Sequence, residues 1–260
     1  MDEIVLLKPK LTRLKLSGIL ETLGDRLDQA MKEKWAYSHF LDRLLSDEME
    51  RRDHKQLSRR LVKSGLDPEK TLETFDFQFN PRIHEPTIRE LASCQYLQRK
   101  ENVFFLGPSG VGKSHVTQAL GHAAVRHGHE VLFRRTSALL QWIGAGRGDG
   151  SWDRRMKLAS SVELLALDDF GLKPLSDEQQ ADLYELICER YEKTSTIINS
   201  NRDFGEWMAV FSNALMGSAA MDRLVHRGIK ILIEGKSYRV DSFMKRAKGL
   251  SDDQLRREKK

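Results

Sequence analysis

The stretch Gly107-Pro108-Ser109-Gly110-Val111-Gly112-Lys113-Ser114 carries glycine, four free positions and then Gly-Lys-Ser, the pattern of a loop that cradles nucleotide phosphates. The chemistry it offers is electrostatic. Glycines let successive backbone N–H groups point at an anion, the amino end of the following helix adds partial positive charge, and Lys113 reaches the β- and γ-phosphates. The Ser114 hydroxyl is suited to ligate Mg²⁺. A glycine-rich turn holding Lys-Ser by chance would not need the flanks found here. Asn102–Leu106 is a short β-branched and aromatic run that reads as a buried parallel strand, and 116–120 continues as a helix.

Holding such a loop requires a sheet, and the rest of the chain supplies one. Glu130–Phe133 reads as the next strand, followed by a helix capped by Ser137. Val162–Leu167 is an apolar strand closing on Asp168-Asp169, and ligands bind at the carboxyl edge of a parallel sheet. Ser176 with Gln179 forms a capping box for a helix running to Lys193. Thr196–Asn201 is a further strand with polar residues at its end, Ala219–Arg227 a helix stopped by Gly228, and Lys230–Ile233 a last strand. The alternation predicts a parallel α/β sheet covered by helices on both faces.

Before this core, Leu16, Leu20, Leu23, Leu27 and Ala30 make an apolar stripe on a helix over 10–31. A second helix begins near Ser38 and stops at Gly65, so residues 1–66 are expected to form a small all-helical domain. On it Arg52, Lys55, Arg59 and Lys63 share a face that either grips DNA phosphates or is solvated with partners such as Glu48. Residues 67–85 read as a linker whose Phe75, Phe77 and Phe79 alternate on an extended strand, packing on the core or flanking an adenine base. The helix Pro86–Leu97 then opens the domain that holds the phosphate loop, 86–246.

Gly144–Gly150 follows a helix, so it is not a dinucleotide fingerprint and is expected to be a flexible loop. With Arg147, Arg154, Arg155 and Lys157 it is either a DNA-facing loop or a plain linker. His115, His122, His127 and His129 match no zinc spacing.

Composition bounds the function. The 260 residues are 40% hydrophobic and 31% charged, and no run approaches the roughly 18 apolar residues of a membrane span. The start lacks the basic-then-apolar order of a signal peptide, and only Cys94 and Cys188 are present, which points to a reducing cytoplasm. Residues 1–80 carry 15 basic and 15 acidic side chains, so the net +5 arises beyond them. The last 25 residues hold nine Lys/Arg against four Asp/Glu, and the basic tail 247–260 suits either nucleic acid or a solvated end.

In order, Gly-Pro-Ser-Gly-Val-Gly-Lys-Ser-His (107–115), Leu-Leu-Ala-Leu-Asp-Asp-Phe-Gly (164–171), Ile-Ile-Asn-Ser-Asn-Arg (197–202), Trp207 with Phe211, Met-Asp-Arg-Leu-Val-His (221–226) and Gly-Lys-Ser-Tyr-Arg (235–239) resemble the IstB family over about Leu11 to Arg246. These are AAA+ ATPases, of a DnaC-like branch, encoded beside the transposase of certain insertion sequences. The resemblance implies an ATP-dependent helper that assembles as a homo-oligomer on duplex DNA and recruits the transposase, with a DnaC-like replicative helicase loader as the alternative. It also implies roles. Gly107 to His115 hold the nucleotide, Asp168 holds Mg²⁺ with Ser114, and Asp169, where most AAA+ proteins have Glu, activates water. Asn201, with Asn199 as rival, contacts the γ-phosphate. Arg223, with Arg227 as a weaker substitute, reaches a neighbouring subunit's nucleotide. A P-loop small-molecule kinase would instead need an acceptor pocket and an arginine-rich lid.

Overall fold

The computed structural model describes residues 2–245, so the basic tail at 247–260 lies outside the described residues. The chain divides into two compact units, Met1–Arg60 and Leu61–Lys260.

The first unit is helical: α1 (Asp2–Arg13), α2 (Ser17–Glu33) and α3 (Tyr37–Ser64), whose last residues belong to the second unit. The single helix expected over 10–31 is divided, because Lys15 adopts a left-handed backbone (φ 56°). The apolar period nonetheless does its work, since Ile19 and Leu23 bury against Leu44 with Leu16, Leu27 and Phe40 around them. Glu48 of α3 accepts hydrogen bonds from the N–H groups of Gly18 (2.6 Å) and Ile19 (3.3 Å), capping α2 where its dipole is positive. Burial pushes the Glu48 pKa up, but Arg52 at 2.7 Å and those two N–H groups outweigh it and hold the pKa below the usual range. α3 ends before Gly65, at φ 71°.

In the second unit, α4 (Glu85–Ala92) and α5 (Gln95–Gln98) replace the one helix expected over Pro86–Leu97, divided at Cys94 with φ 63°. There follow β1 (Asn102–Leu106), α6 (Lys113–Arg126), β2 (Val131–Arg135), α7 (Thr136–Asp149), α8 (Trp152–Ser161) and β3 (Leu164–Phe170). α9 (Asp177–Arg190), β4 (Ser195–Ser200), α10 (Phe204–Trp207), α11 (Ala214–Val225) and β5 (Gly228–Leu232) complete the order. The strands form one parallel sheet, β2-β3-β4-β1-β5. The acidic strand β3 is therefore separated from the phosphate-loop strand β1 by β4. A core of residues such as Phe104, Leu140, Leu165, Leu183, Ile198 and Trp207 lies against the sheet.

Three expectations fail here. Residues 71–81 form no strand: Asp76 accepts from the N–H groups of Gln78 and Phe79, so the segment runs as turns. Phe75 and Phe77, expected in a row, instead meet edge to face at 4.8 Å. Nor is Gly144–Gly150 a loop, because it finishes α7 and only Gly150 lies beyond the helix. Helix α8 packs so closely there that a Cβ on Gly146 would sit 2.7 Å from the Trp152 Cα, which tertiary packing favours despite poor helix propensity. Nothing in the structure explains Gly148. Ser137 falls inside α7, whose N-cap is Arg135, whereas the Ser176–Gln179 capping box of α9 is present.

Arg190 is fully buried, and among the described residues it has no carboxylate partner. Its guanidinium donates to the carbonyls of Ala159, Ser160, Val162 and Ser195 and to the Thr196 hydroxyl, tying the end of α8 to the start of β4. Burial pushes its pKa down to about 9, still charged at neutral pH. Replacing it by leucine would strand those acceptors. We expect a loss of about 3–5 kcal/mol, read by thermal melting as a drop of roughly 6–20 °C. A melting point within 2 °C of the parent would show that the carbonyls find water.

Candidate nucleotide site

The loop 107–112 leaves β1 at the carboxyl edge of the sheet and feeds α6. Its path depends on glycine at two points. A Cβ on Gly107 (φ 142°) would lie 1.9 Å from the Ile233 carbonyl oxygen. At Gly112, the α6 N-cap with φ 107°, a Cβ would meet the Phe75 ring at 3.1 Å. Two straps embrace the loop. On one side Asn80 donates to the Val111 carbonyl at 3.3 Å, and on the other the Tyr238 N–H donates to the Gly110 carbonyl at 2.9 Å. His115 points from α6 to the first strap, within 3.0 Å of the Thr71 carbonyl, and burial lowers its pKa. Between them opens a cleft of about 1060 Å³ lined by Ser109 to His115, Asp168, Asp169, Asn199, Asn201, Arg135, Phe75, Phe79 and Arg239, among others.

The polar groups converge on the start of α6. Lys113 Nζ donates to the Gly107 carbonyl (2.7 Å), the Pro108 carbonyl (2.7 Å) and Asn201 Oδ1 (2.6 Å). Burial pushes its pKa down to about 8, against the attraction of Asp168 and Asp169. The Ser114 hydroxyl donates to Asp168 Oδ1 at 2.9 Å, and Asn199 Nδ2 donates to the same oxygen at 2.9 Å. A hydroxyl and a carboxylate together form a hard oxygen set, which fits Mg²⁺. Asp169 projects to the cleft mouth, with Arg135 Nε 3.9 Å from its carboxylate. Its backbone is left-handed (φ 55°) within a bulge of β3, a conformation that Asp tolerates better than most residues.

Arg223 is not in this cleft. It occupies the last turn of α11, donates to the Ala219 carbonyl at 2.9 Å and lies over the Tyr184 ring at 5.6 Å. Arg227 is 3.9 Å from Glu192. Of the DNA candidates, Arg147 makes a paired contact with the buried Asp182 (2.8 and 2.5 Å) and Arg155 is bonded to Asp149 and the Trp142 carbonyl. Both are committed to holding α7, α8 and α9 together rather than free on a loop. Arg52 is paired with Glu48, while Lys55, Arg59, Lys63, Arg154 and Lys157 are exposed. Arg239 and Arg135 also line the cleft, although neither stands out in the sequence as a site residue. Arg239 closes the Gly-Lys-Ser-Tyr-Arg motif and enters the cleft because Tyr238 is tied to Gly110. Among the described residues, His, Cys, Asp and Glu form no metal-holding group of three or more.

A parallel sheet with a phosphate loop on β1 and an acidic pair on β3, one strand removed, defines a P-loop NTPase of the AAA+ class. The same fold is found in the DnaC helicase loader, with a TM-score of 0.55 at 22% identity over 65% of this chain and 98% of that one. It is also found in AMPPCP-bound DnaA from Aquifex aeolicus, with a TM-score of 0.55 at 23% identity over 72% and 57%. The sequence matches the IstB-like ATP binding protein family over residues 9–246, and the chain belongs to that family. It is 38% identical to an insertion-sequence ATP-binding protein of Mycobacterium tuberculosis, over 90% of this chain and 93% of the relative. It is 35% identical to the ATP-binding protein of insertion sequence IS21 of Pseudomonas aeruginosa, over 94% and 95%.

Proposed function

We propose that this chain is an ATPase whose nucleotide state governs assembly on duplex DNA and recruitment of the transposase of its insertion sequence. The observation that carries the reading is the convergence of Lys113, Ser114, Asp168, Asp169 and Asn201 in one cleft at the carboxyl edge of the sheet. Phosphoryl transfer to water needs placement and charge stabilisation rather than covalent chemistry. Loop N–H groups and Lys113 hold the β- and γ-phosphates, for which Lys113 must leave the Gly107 and Pro108 carbonyls. Asn201, already bonded to Lys113, stays beside the γ-phosphate. Asp169 orients the attacking water and takes its proton. Ser114 and Asp168 would hold Mg²⁺, which would supply neutralisation of the phosphate charge.

For DNA, the supporting feature is a set of exposed cations, Lys55, Arg59 and Lys63 on α3 with Arg154 and Lys157 on α8. They suit a phosphate backbone rather than base edges. The test is a gel shift and particle-size measurement on duplex DNA across salt, with and without ATP. Should these five each neutralise one phosphate, log affinity falls against log salt with a slope of about −4 to −5. Large particles are expected only with ATP. A slope near zero, or assembly indifferent to nucleotide, would sink the reading.

A further inference from the structure

The least expected feature of the cleft is what holds Asp168. In the β3–β4 ladder Leu167 pairs with Ile198 and Phe170 with Ser200, so Asp168 and Asp169 together oppose the single residue Asn199. That two-against-one count is a β-bulge, a device that re-aims side chains beside functional sites. Asn199 is 1% exposed and both ends of its amide are engaged. Its Nδ2 donates to Asp168 Oδ1 at 2.9 Å, and its Oδ1 accepts from the Thr117 hydroxyl at 2.6 Å. The orientation is forced, because a carboxylate only accepts and must be faced by the NH₂ group. Thr117 lies three residues beyond Ser114 on α6, and Ser114 also bonds Asp168 Oδ1. Ser114, Asp168, Asn199 and Thr117 therefore close a ring that joins the helix behind the phosphate loop to both acidic and polar strands. The Thr136 hydroxyl, which donates to the Asp168 carbonyl at 3.0 Å, fixes the backbone of the same residue.

We propose that Asn199 is a positioning residue, not a phosphate contact: with Thr117 it fixes the Asp168 carboxylate at the bulge, so that Oδ1 is spent on protein donors and Oδ2 is offered to Mg²⁺ through its water shell. This rests on the nucleotide reading above. It also separates the two asparagines of β4 and its end by task, since Asn201 bonds Lys113 whereas Asn199 bonds the acid. Freed of its amide partner, the Asp168 carboxylate can rotate. Metal affinity then falls while loop contacts to phosphate persist. Outer partners of metal-binding groups are typically worth 10–100-fold in metal affinity.

The test uses the full chain and a fluorescent ATP analogue, titrated in EDTA and then against Mg²⁺, for the parent, Asn199→Leu and Thr117→Val. Binding in EDTA should stay within about twofold of the parent, a split that general loosening of the fold would not give. The Mg²⁺ concentration for half-maximal gain in affinity should rise about 10-fold in Asn199→Leu and by a smaller factor in Thr117→Val. Thr117→Val is nearly isosteric and removes only the donor to Asn199, so it decides the matter if Asn199→Leu does not fold. An unchanged Mg²⁺ requirement in both variants, with the parent binding normally, overturns the positioning role alone. A parent that binds no nucleotide overturns it together with the reading of the cleft.

Discussion

Lys113→Ala protein is expected to lose ATP binding by a factor on the order of 10²–10⁴, because two charge-assisted hydrogen bonds to the phosphates disappear, each contributing about 1.5–3 kcal/mol. Among the described residues the other lysine lining the cleft is Lys70, which belongs to the first strap and is paired with Asp67. Arg239 and Arg135 are present there but arise from other segments, and Arg239 sits close enough to depress the Lys113 pKa rather than to replace it. Equilibrium binding of a fluorescent ATP analogue checks this. Affinity within threefold of the parent would mean that the nucleotide is held elsewhere.

The same lysine makes binding depend on pH, with a sign that the geometry fixes. In the free protein burial lowers its pKa to about 8, whereas bound phosphates favour the charged form. Below pH 8 the charge is already in place and affinity is flat. Above it each unit costs up to tenfold as the lysine must first be protonated, with proton uptake visible by calorimetry in two buffers. Folding stability has the opposite slope between pH 8 and 10.5. There the unfolded chain binds the proton more tightly, and the Lys113 contribution to stability rises with pH.

How much of this was legible depended on whether the signal was local. The phosphate loop is read from the sequence because its chemistry resides in eight consecutive residues. The strands β1, β3 and β4 are read because they are apolar runs bounded by polar ends. The Phe75, Phe77, Phe79 alternation misled because period two is also produced by successive turns. Asp76, two residues before Gln78, was the sign that a side chain would close such a turn. At Gly144–Gly150 the glycines argued for a loop by propensity, yet the approach of Trp152 to Gly146 demands a residue without Cβ, and that partner could not be known without the tertiary fold. Likewise Lys15 and Cys94 interrupt helices without proline or glycine to announce it.

In the candidate site, residue types were visible but their pairings were not. Period-two alternation put Asn199 and Asn201 on one face as rivals for one task. The bulge between Leu167 and Phe170 breaks the period opposite them and gives each asparagine a different partner. Arg147 and Arg155 looked like free cations because Asp182 and Asp149 are 35 and six residues away, spacings that no helical rule connects to them.

Hydrolysis is expected to require a second copy of the chain, supplying Arg223 in trans. Gly228, the first residue of β5, pairs with Asn102, the first of β1, and Arg223 lies in the last turn of the helix just before it. The phosphate loop leaves the opposite end of β1, roughly 16 Å away along five residues of strand. On the proposed reading a single chain thus brings lysine, metal donors and acid to the phosphates but keeps this guanidinium at the opposite end of its own sheet. Its present contacts, one carbonyl and the Tyr184 ring, are weak enough to be exchanged for a phosphate. An arginine presented between subunits contributes on the order of 10³–10⁵ in rate in other NTPases. Arg223→Ala protein should therefore bind ATP normally and hydrolyse it at least about 10³-fold more slowly on DNA. Mixing it with Lys113→Ala protein, whose arginine is intact, should restore turnover at the shared interfaces, measured as phosphate release against mixing ratio. If the two variants co-assemble without rescue, or Arg223→Ala alone keeps full DNA-stimulated turnover, Arg223 is not that group. Arg227, held among the described residues by a 3.9 Å contact to Glu192, is then the arginine to replace.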